Sequence, residues 1–151
     1  MIKLKKMTKK EYKTFIKKSI KRFAKEQIKR GYWLENEALE EVKAQYKRNL
    51  GKGLQESKFD FYTVRNKSDN KVGYLWLMKQ EKMLFIAEIY MRKKYRRQGY
   101  GEATLERVEK IAKKLKYEKI GLDVSTHNEV AKFLYTKSSF EPIFEFRMKR
   151  I

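Results

Sequence analysis

The chain contains no cysteine and a single histidine and proline. Without thiols there are no disulfides, no thiolate metal ligands and no cysteine nucleophile, which fits a reducing compartment. His127 alone does not build a histidine metal site, so no metal is expected. Long apolar runs are missing too. Nothing approaches the roughly 18–20 apolar residues needed to cross a bilayer, and the start Met1, Ile2, Lys3, Leu4, Lys5, Lys6 lacks the apolar middle of a secretory signal. These absences predict a soluble, cytoplasmic protein with no membrane partner.

Acidic residues are also scarce. Asp plus Glu number 19 against 39 Lys plus Arg, a formal net charge of +20. Such a field attracts phosphorylated ligands and nucleic acid. The lysines are spread over nearly every segment, however, and no zinc-finger spacing, basic zipper or ribonucleoprotein sequence accompanies them. The charge therefore reads as solvated surface and steering field, with no specific nucleic-acid partner.

What is present, over 151 residues, reads as one domain spanning 1–151, without repeats or linkers. Ile2 and Leu4 alternate with lysines as a short strand, and Thr8 to Glu11 has the form of a capping box. Tyr12, Phe15, Ile16, Ile20, Phe23 and Ile28 follow at helical spacing up to Gly31. A second helix is predicted over 35–49, acidic at its start and basic at its end. Residues 59–65, 71–79 and 83–92 read as an antiparallel meander. A helix over 102–116, a strand over 120–124, a short helix ending near Ser138 and a last strand pattern over 140–148, broken by Pro142, complete the chain. Strands flanking the 102–116 helix predict a parallel crossover. The class is α/β (α+β), a mixed, mostly antiparallel sheet flanked by helices in the order β-α-α-β-β-β-α-β-α-β.

The most informative stretch is Arg96, Arg97, Gln98, Gly99, Tyr100, Gly101. It joins an apolar strand to a helix through a basic turn whose glycines permit close backbone approach. Free amides at the helix start make this a phosphate cradle. It is not a Walker loop, because no lysine followed by Ser or Thr is present, and Thr104 stands where a dinucleotide motif needs glycine.

With the elements laid out, the chain resembles the GCN5-related N-acetyltransferases over essentially its whole length. Their acetyl-coenzyme A signature is Arg or Gln, two residues, Gly, one residue, Gly or Ala; Arg96, Gly99 and Gly101 fill it, and Met91 stands where valine is usual. Asn128, Ala131, Tyr135 and Phe140 match a second signature, in which Ser139 occupies a usual glycine place. The long N-terminal helix pair with Gly31, Tyr32 and Trp33 resembles a bacterial subgroup. The resemblance implies an acetyl-CoA-dependent N-acetyltransferase acting on a primary amine of a small molecule or peptide, as a monomer or homodimer. The rival reading is a non-catalytic acyl-CoA-binding or basic RNA-associated module.

It further implies that amides over 97–101 hold the pyrophosphate, with Arg96 or Arg97 adding charge. The strand backbone around Ile89 and Met91 would pair with the pantetheine amides, in a slot opened by splaying from the 120–124 strand. Tyr135 is the implied acid for the departing thiolate, against packing on the last helix. Asn128 offers polar groups to pantetheine, against or alongside helix capping. Chemistry adds the base. Amines near pKa 10.4 must lose a proton before attack, and Glu88, on a strand face expected to be shared with Ile86 and Tyr90, is the candidate; a structural ion pair is the alternative. His127 reads as a loop residue. Tyr32, Trp33 and Trp76 are candidate walls of the acceptor pocket, with core packing as the alternative for Trp33.

Overall fold

Thr8 decides where the first strand ends and the first helix begins. In the computed structural model, which describes residues 1–151, its hydroxyl accepts from the Glu11 amide while the Glu11 carboxylate accepts from the Thr8 amide. Two otherwise orphaned amides are thereby satisfied. β1 (Lys3–Lys6) precedes this cap and α1 (Lys9–Lys29) follows it, ending before Gly31 at φ +73°. α2 covers Ala38–Leu50, starting later than its acidic run predicts. The Leu34 carbonyl accepts from Glu37 and Ala38, and the Glu37 side chain accepts from the Leu34 amide. Glu37 is spent on this turn, while Glu40 and Glu41 remain in the first turn of α2.

β2 (Phe59–Arg65), β3 (Lys71–Lys79) and β4 (Leu84–Met91) form the expected meander. Asn66 closes its first turn, its side-chain oxygen accepting from the amides of Ser68 and Asn70. α3 (Tyr100–Lys114) crosses over to β5 (Ile120–Leu122), which runs parallel to β4, and α4 (Glu129–Lys137) follows. The sheet has five strands in sequence order. The strand predicted over 140–148 does not form. Residues after Phe140 have no regular structure and make no backbone hydrogen bonds, because nothing lies beside them to complete a ladder.

Side-chain alternation sends the two sheet faces to different helices. One face buries Val64, Val72, Leu75, Leu77, Leu84 and Ile86 against Leu105, Val108 and Ala112 of α3. The other packs Phe59, Phe61, Tyr74 and Trp76 against Phe15 of α1 and Tyr46 of α2. No helix is long and apolar enough to cross a membrane.

Candidate active site

β4 pairs with β5 only at Leu84–Ile120, Phe85–Gly121 and Ile86–Leu122. β4 then continues to Met91 whereas β5 ends. The strands part at an irregularity in β4. Leu77 pairs with Ile86 but Trp76 pairs with Glu88, so Ala87 is an extra residue. Such a bulge bends its strand and re-aims the side chains beyond it.

This bulge corrects one expectation. Glu88 lies on the opposite face from Ile86, because the inserted residue reverses the alternation; it shares its face with Tyr90, Tyr74 and Trp76. It therefore projects toward α1 and α2. Ile89 and Met91 pass to the α3 side and pack at the margin of that core. The Arg92 amide donates to the Val72 carbonyl across β3. By in-plane alternation, the amides of Ile89 and Met91 point the other way, into the slot.

The glycine turn joins β4 to α3. After a short 3-10 turn at Lys93–Tyr95, Arg97 adopts φ +62° and Gly99 φ +82°. The amides of Arg97, Gln98, Gly99, Tyr100, Gly101 and Glu102 donate to no group in the chain. They lie at the positive end of the α3 dipole, where an anion is favoured. Gly99 is required by its left-handed backbone. At Gly101 the fit is close, a Cβ there standing 3.1 Å from Cδ2 at the end of the flexible Leu134 side chain of α4. Arg96 folds back, its Nε donating to the Met91 carbonyl at 3.0 Å while its guanidinium lies 5.3 Å from the Tyr90 ring centroid. It closes the turn as well as charging it. Gln98 likewise donates to the Lys94 carbonyl.

On the α1–α2 side, Glu88 is engaged at both oxygens. Ser19 Oγ donates to Oε1 at 2.5 Å and Arg22 Nε to Oε2 at 2.7 Å. Because the one Ser19 proton goes to Glu88, the Tyr46 hydroxyl, 2.8 Å from Ser19 Oγ, is the donor to Ser19. Burial pushes the Tyr46 phenol upward, which keeps that proton in place. Arg22 also lies over the Tyr90 ring at 4.1 Å, so Tyr90 sits between the Arg22 and Arg96 guanidiniums. Glu88 is thus ion-paired with Arg22 within the chain.

Beyond β5, Ser125 accepts from Arg30 Nε at 2.6 Å and donates to Glu26 at 2.5 Å; His127 Nε2 lies 3.2 Å from the other Glu26 oxygen. Burial works to raise the Glu26 carboxyl, but the hydrogen bonds from Ser125 and His127 and the nearby charges hold it below the usual range. Asn128 caps α4, its side-chain oxygen accepting from the Ala131 amide at 3.2 Å. Its amide nitrogen has no partner in the chain. Tyr135 packs edge-on against Phe140 at 5.8 Å. Burial pushes its phenol up to about 12, and its hydroxyl bonds to no group in the chain.

Of the three aromatic wall candidates, Tyr32 and Trp33 meet edge to face at 5.3 Å, and Trp76 lies in a different cluster. Trp76 is stacked on Phe61 at 5.2 Å within the sheet–helix core, and Trp33 packs beside Ala24, Ala38 and Val42. Only Tyr32 is exposed, 6.5 Å from Phe146. Sequence reasoning missed Ser19, Arg22, Glu26 and Arg30. Their spacing of three or four residues is a polar stripe on the inner side of α1, and that was the available signal.

Free amides at a helix start, beside a parallel β4–β5 pair that stops at Ile86–Leu122, make this an α/β fold suited to an anionic ligand at the carboxyl end of its strand. The chain belongs to the acetyltransferase (GNAT) family, whose sequence pattern matches residues 21–140. It is 30% identical to YdgE of Bacillus subtilis, described as an uncharacterized N-acetyltransferase, over 91% of this chain and 90% of that one. The crystal structure of YycN from Bacillus subtilis aligns with 100% of this chain and 99% of its own, at 24% identity and TM-score 0.95. A Clostridium acetobutylicum acetyltransferase solved with acetyl-CoA aligns over 99% of this chain and 96% of its own, at 17% identity and TM-score 0.64. The protein is an acetyl-CoA-dependent acyltransferase of this family.

Proposed function

We propose that the enzyme acetylates a primary amine on a small molecule or peptide by direct attack of the amine on the donor, within the single domain of residues 1–151. One observation carries the reading: the slot opens at Ala87, immediately beyond the last β4–β5 pair and beneath the row of free amides. The pyrophosphate is assigned to the amides of 97–102, with Arg97 adding charge. The pantetheine arm is assigned to the Ile89 and Met91 backbone edge and to the Asn128 amide nitrogen, which capping leaves free. Acetyl-CoA supplies an activated acetyl group and a thiolate leaving group.

The chain's own residues then move protons. Glu88 keeps a second lone pair on each oxygen despite its bonds to Ser19 and Arg22, so it is assigned as base, directly or through one water. Tyr135 is assigned as acid, because a phenol near 12 is protonated throughout the working range. A cationic amine entering a chain of charge +20 needs local negative charge. Glu88 and Glu26, on the α1 side of the slot, supply it.

The test is acetyl transfer against polyamines, aminoglycosides, amino acids and peptide N-termini, with acetyl-CoA binding measured in parallel by calorimetry. Acetylated product from any of these amines supports the reading. Tight acetyl-CoA binding with no product from the whole panel would overturn the assignment of the acceptor to these classes of amine. Thermal stabilisation by RNA alone, collapsing with salt, would point to the basic field instead.

A further inference from the structure

Four cations from four elements line one cavity of about 430 Å³: Lys5 of β1, Lys10 of α1, Arg65 of β2 and Lys71 of β3. Glu11 is the one acidic residue among its walls, and it is already occupied. Its Oε1 accepts from the Thr8 amide, while Oε2 lies 2.6 Å from Lys71 Nζ and 3.5 Å from Arg65 Nη2. Burial works to raise the Glu11 carboxyl, but the hydrogen bonds from Lys71 and Thr8 and the Lys71 charge hold it below the usual range. Arg65 also meets Asp69 through Nη1 at 3.4 Å. Lys5 and Lys10 have no carboxylate partner in the chain. Their charges are left over in a concave site.

Hydroxyls accompany these cations. Thr8 Oγ1 accepts from the Glu11 amide and keeps its own proton to give, and Thr14 and Tyr74 are further walls that carry a hydroxyl. Ammonium and hydroxyl donors around an engaged carboxylate are the groups that receive a phosphate or carboxylate oxygen. The cavity also adjoins the α1 side of the active site. Tyr74 pairs with Tyr90 across β3 and β4, and the two rings are stacked with centroids 6.5 Å apart. Tyr90 in turn lies under Arg22, the partner of Glu88. Thr14 and Arg22 are separated on α1 by about 12 Å of helix rise. Tyr74 stands two residues, about 7 Å, before Trp76, which pairs with Glu88.

We propose that this cavity receives an anionic group, phosphate or carboxylate, that the acceptor carries roughly 10 Å from its amine. The inference rests on the amine acetylation proposed above, and it narrows the acceptor to a molecule bearing both charges. A purely cationic acceptor is repelled by a chain of charge +20. An acceptor with a remote anion is drawn in by that same field, and with the anion seated its ammonium is left at Glu88. A span of about 10 Å is covered by two extended residues and a short side chain. A peptide N-terminus with an acidic or phosphorylated third residue has that reach.

The probes are tetrapeptide amides, alanine except at the third position, which carries aspartate, phosphoserine or neutral asparagine. Calorimetry measures their binding to the enzyme saturated with coenzyme A, which fills the cradle, and acetylation kinetics measure transfer. At least one anionic peptide should bind about tenfold more tightly than the asparagine peptide, with KM lower by the same factor at similar kcat; the larger factor tells a phosphate site from a carboxylate site. The double variant Lys5→Glu, Lys10→Glu should abolish that advantage while keeping the far-ultraviolet spectrum of the wild type, and Lys5→Ala, Lys10→Ala should weaken it. Lys110→Glu, Lys114→Glu on α3 changes the net charge equally and should retain it. Equal binding of anionic and neutral peptides by the wild type would overturn the proposal. So would an advantage that survives loss of Lys5 and Lys10, or one that the α3 variant removes as well, which would reduce it to the general field. Charge-selective binding through Lys5 and Lys10 without acetylation of any peptide would overturn the acceptor role and leave an anion site.

Discussion

The two faces of the sheet are built on different principles. Under α3 the contacts are almost wholly aliphatic, with Leu75, Leu77, Leu84 and Val108 fully buried. Under α1 and α2 the layer holds aromatic rings, the Tyr46–Ser19–Glu88–Arg22 chain of hydrogen bonds, and every buried side-chain atom left without a partner: Arg22 Nη2, Gln27 Oε1, Trp33 Nε1, Arg65 Nε and Trp76 Nε1. Each such atom costs roughly 1–3 kcal/mol of desolvation. A layer selected only for stability would shed them. The comparison separates an aliphatic face, which packs β4 against α3, from a face with unsatisfied polarity, to which the proposed function assigns the acceptor.

Four substitutions probe that division, and the largest effect belongs to the cradle between the faces. Gly99→Val forces a β-branched side chain into φ +82°, at a cost of about 1–3 kcal/mol, and displaces amides whose charge-assisted bonds are worth about 1.5–3 kcal/mol each. Calorimetry should find acetyl-CoA affinity reduced on the order of 10³-fold; normal affinity would overturn the cradle. Leu77→Ala, on the aliphatic face, should cost about 2–5 kcal/mol in chemical denaturation and leave acetyl-CoA affinity unchanged in the folded fraction. If affinity fell with it, the faces would not be separable.

Tyr135→Phe removes the proposed acid without altering packing, so turnover should fall about 10²-fold at constant acetyl-CoA affinity. The sign of its pH dependence follows from the raised phenol. The donating form is complete below a value of about 12, so Tyr135 contributes no alkaline limb below about pH 10. An unchanged rate at saturating acceptor would dismiss it. Glu88→Gln should lower kcat/KM for the acceptor by roughly tenfold or more. An unchanged kcat/KM would reduce Glu88 to a partner of Arg22.

The aliphatic face was legible in the sequence because apolar periodicity reports burial directly. The β2 and β3 bounds, the α3 stripe and the glycine turn all follow from it. The acceptor face was less so. Trp76 and Glu88 sit opposite each other only because Ala87 is inserted, and no local signal marks a bulge in an apolar run. The inner polar residues of α1 were passed over because amphipathicity assigns polar side chains to solvent; Ser19 is buried instead because Glu88 and Tyr46 meet it there. The alternation over 140–148 predicts a strand that does not form, because periodicity in a single sequence does not show whether a ladder partner lies beside the segment.

The smallest effect tests how the site is fastened to the scaffold. Ser139 adopts φ +66°, the left-handed backbone for which the family's usual glycine is suited, so the geometry survives the change of residue. The turn brings the Phe140 amide to the Tyr135 carbonyl and the Ser139 amide to the Thr136 carbonyl at 3.0 Å, seating Phe140 against the proposed acid. A side chain in this region costs about 1–2 kcal/mol, partly offset by the greater chain entropy that glycine loses on folding. Ser139→Gly should therefore stabilise the protein by about 0.5–1 kcal/mol, a rise of roughly 2–3 °C in Tm, with turnover unaltered. Higher stability accompanied by lower turnover would mean that the strained serine helps to hold Tyr135 in its working position, and that the scaffold carries part of the chemistry.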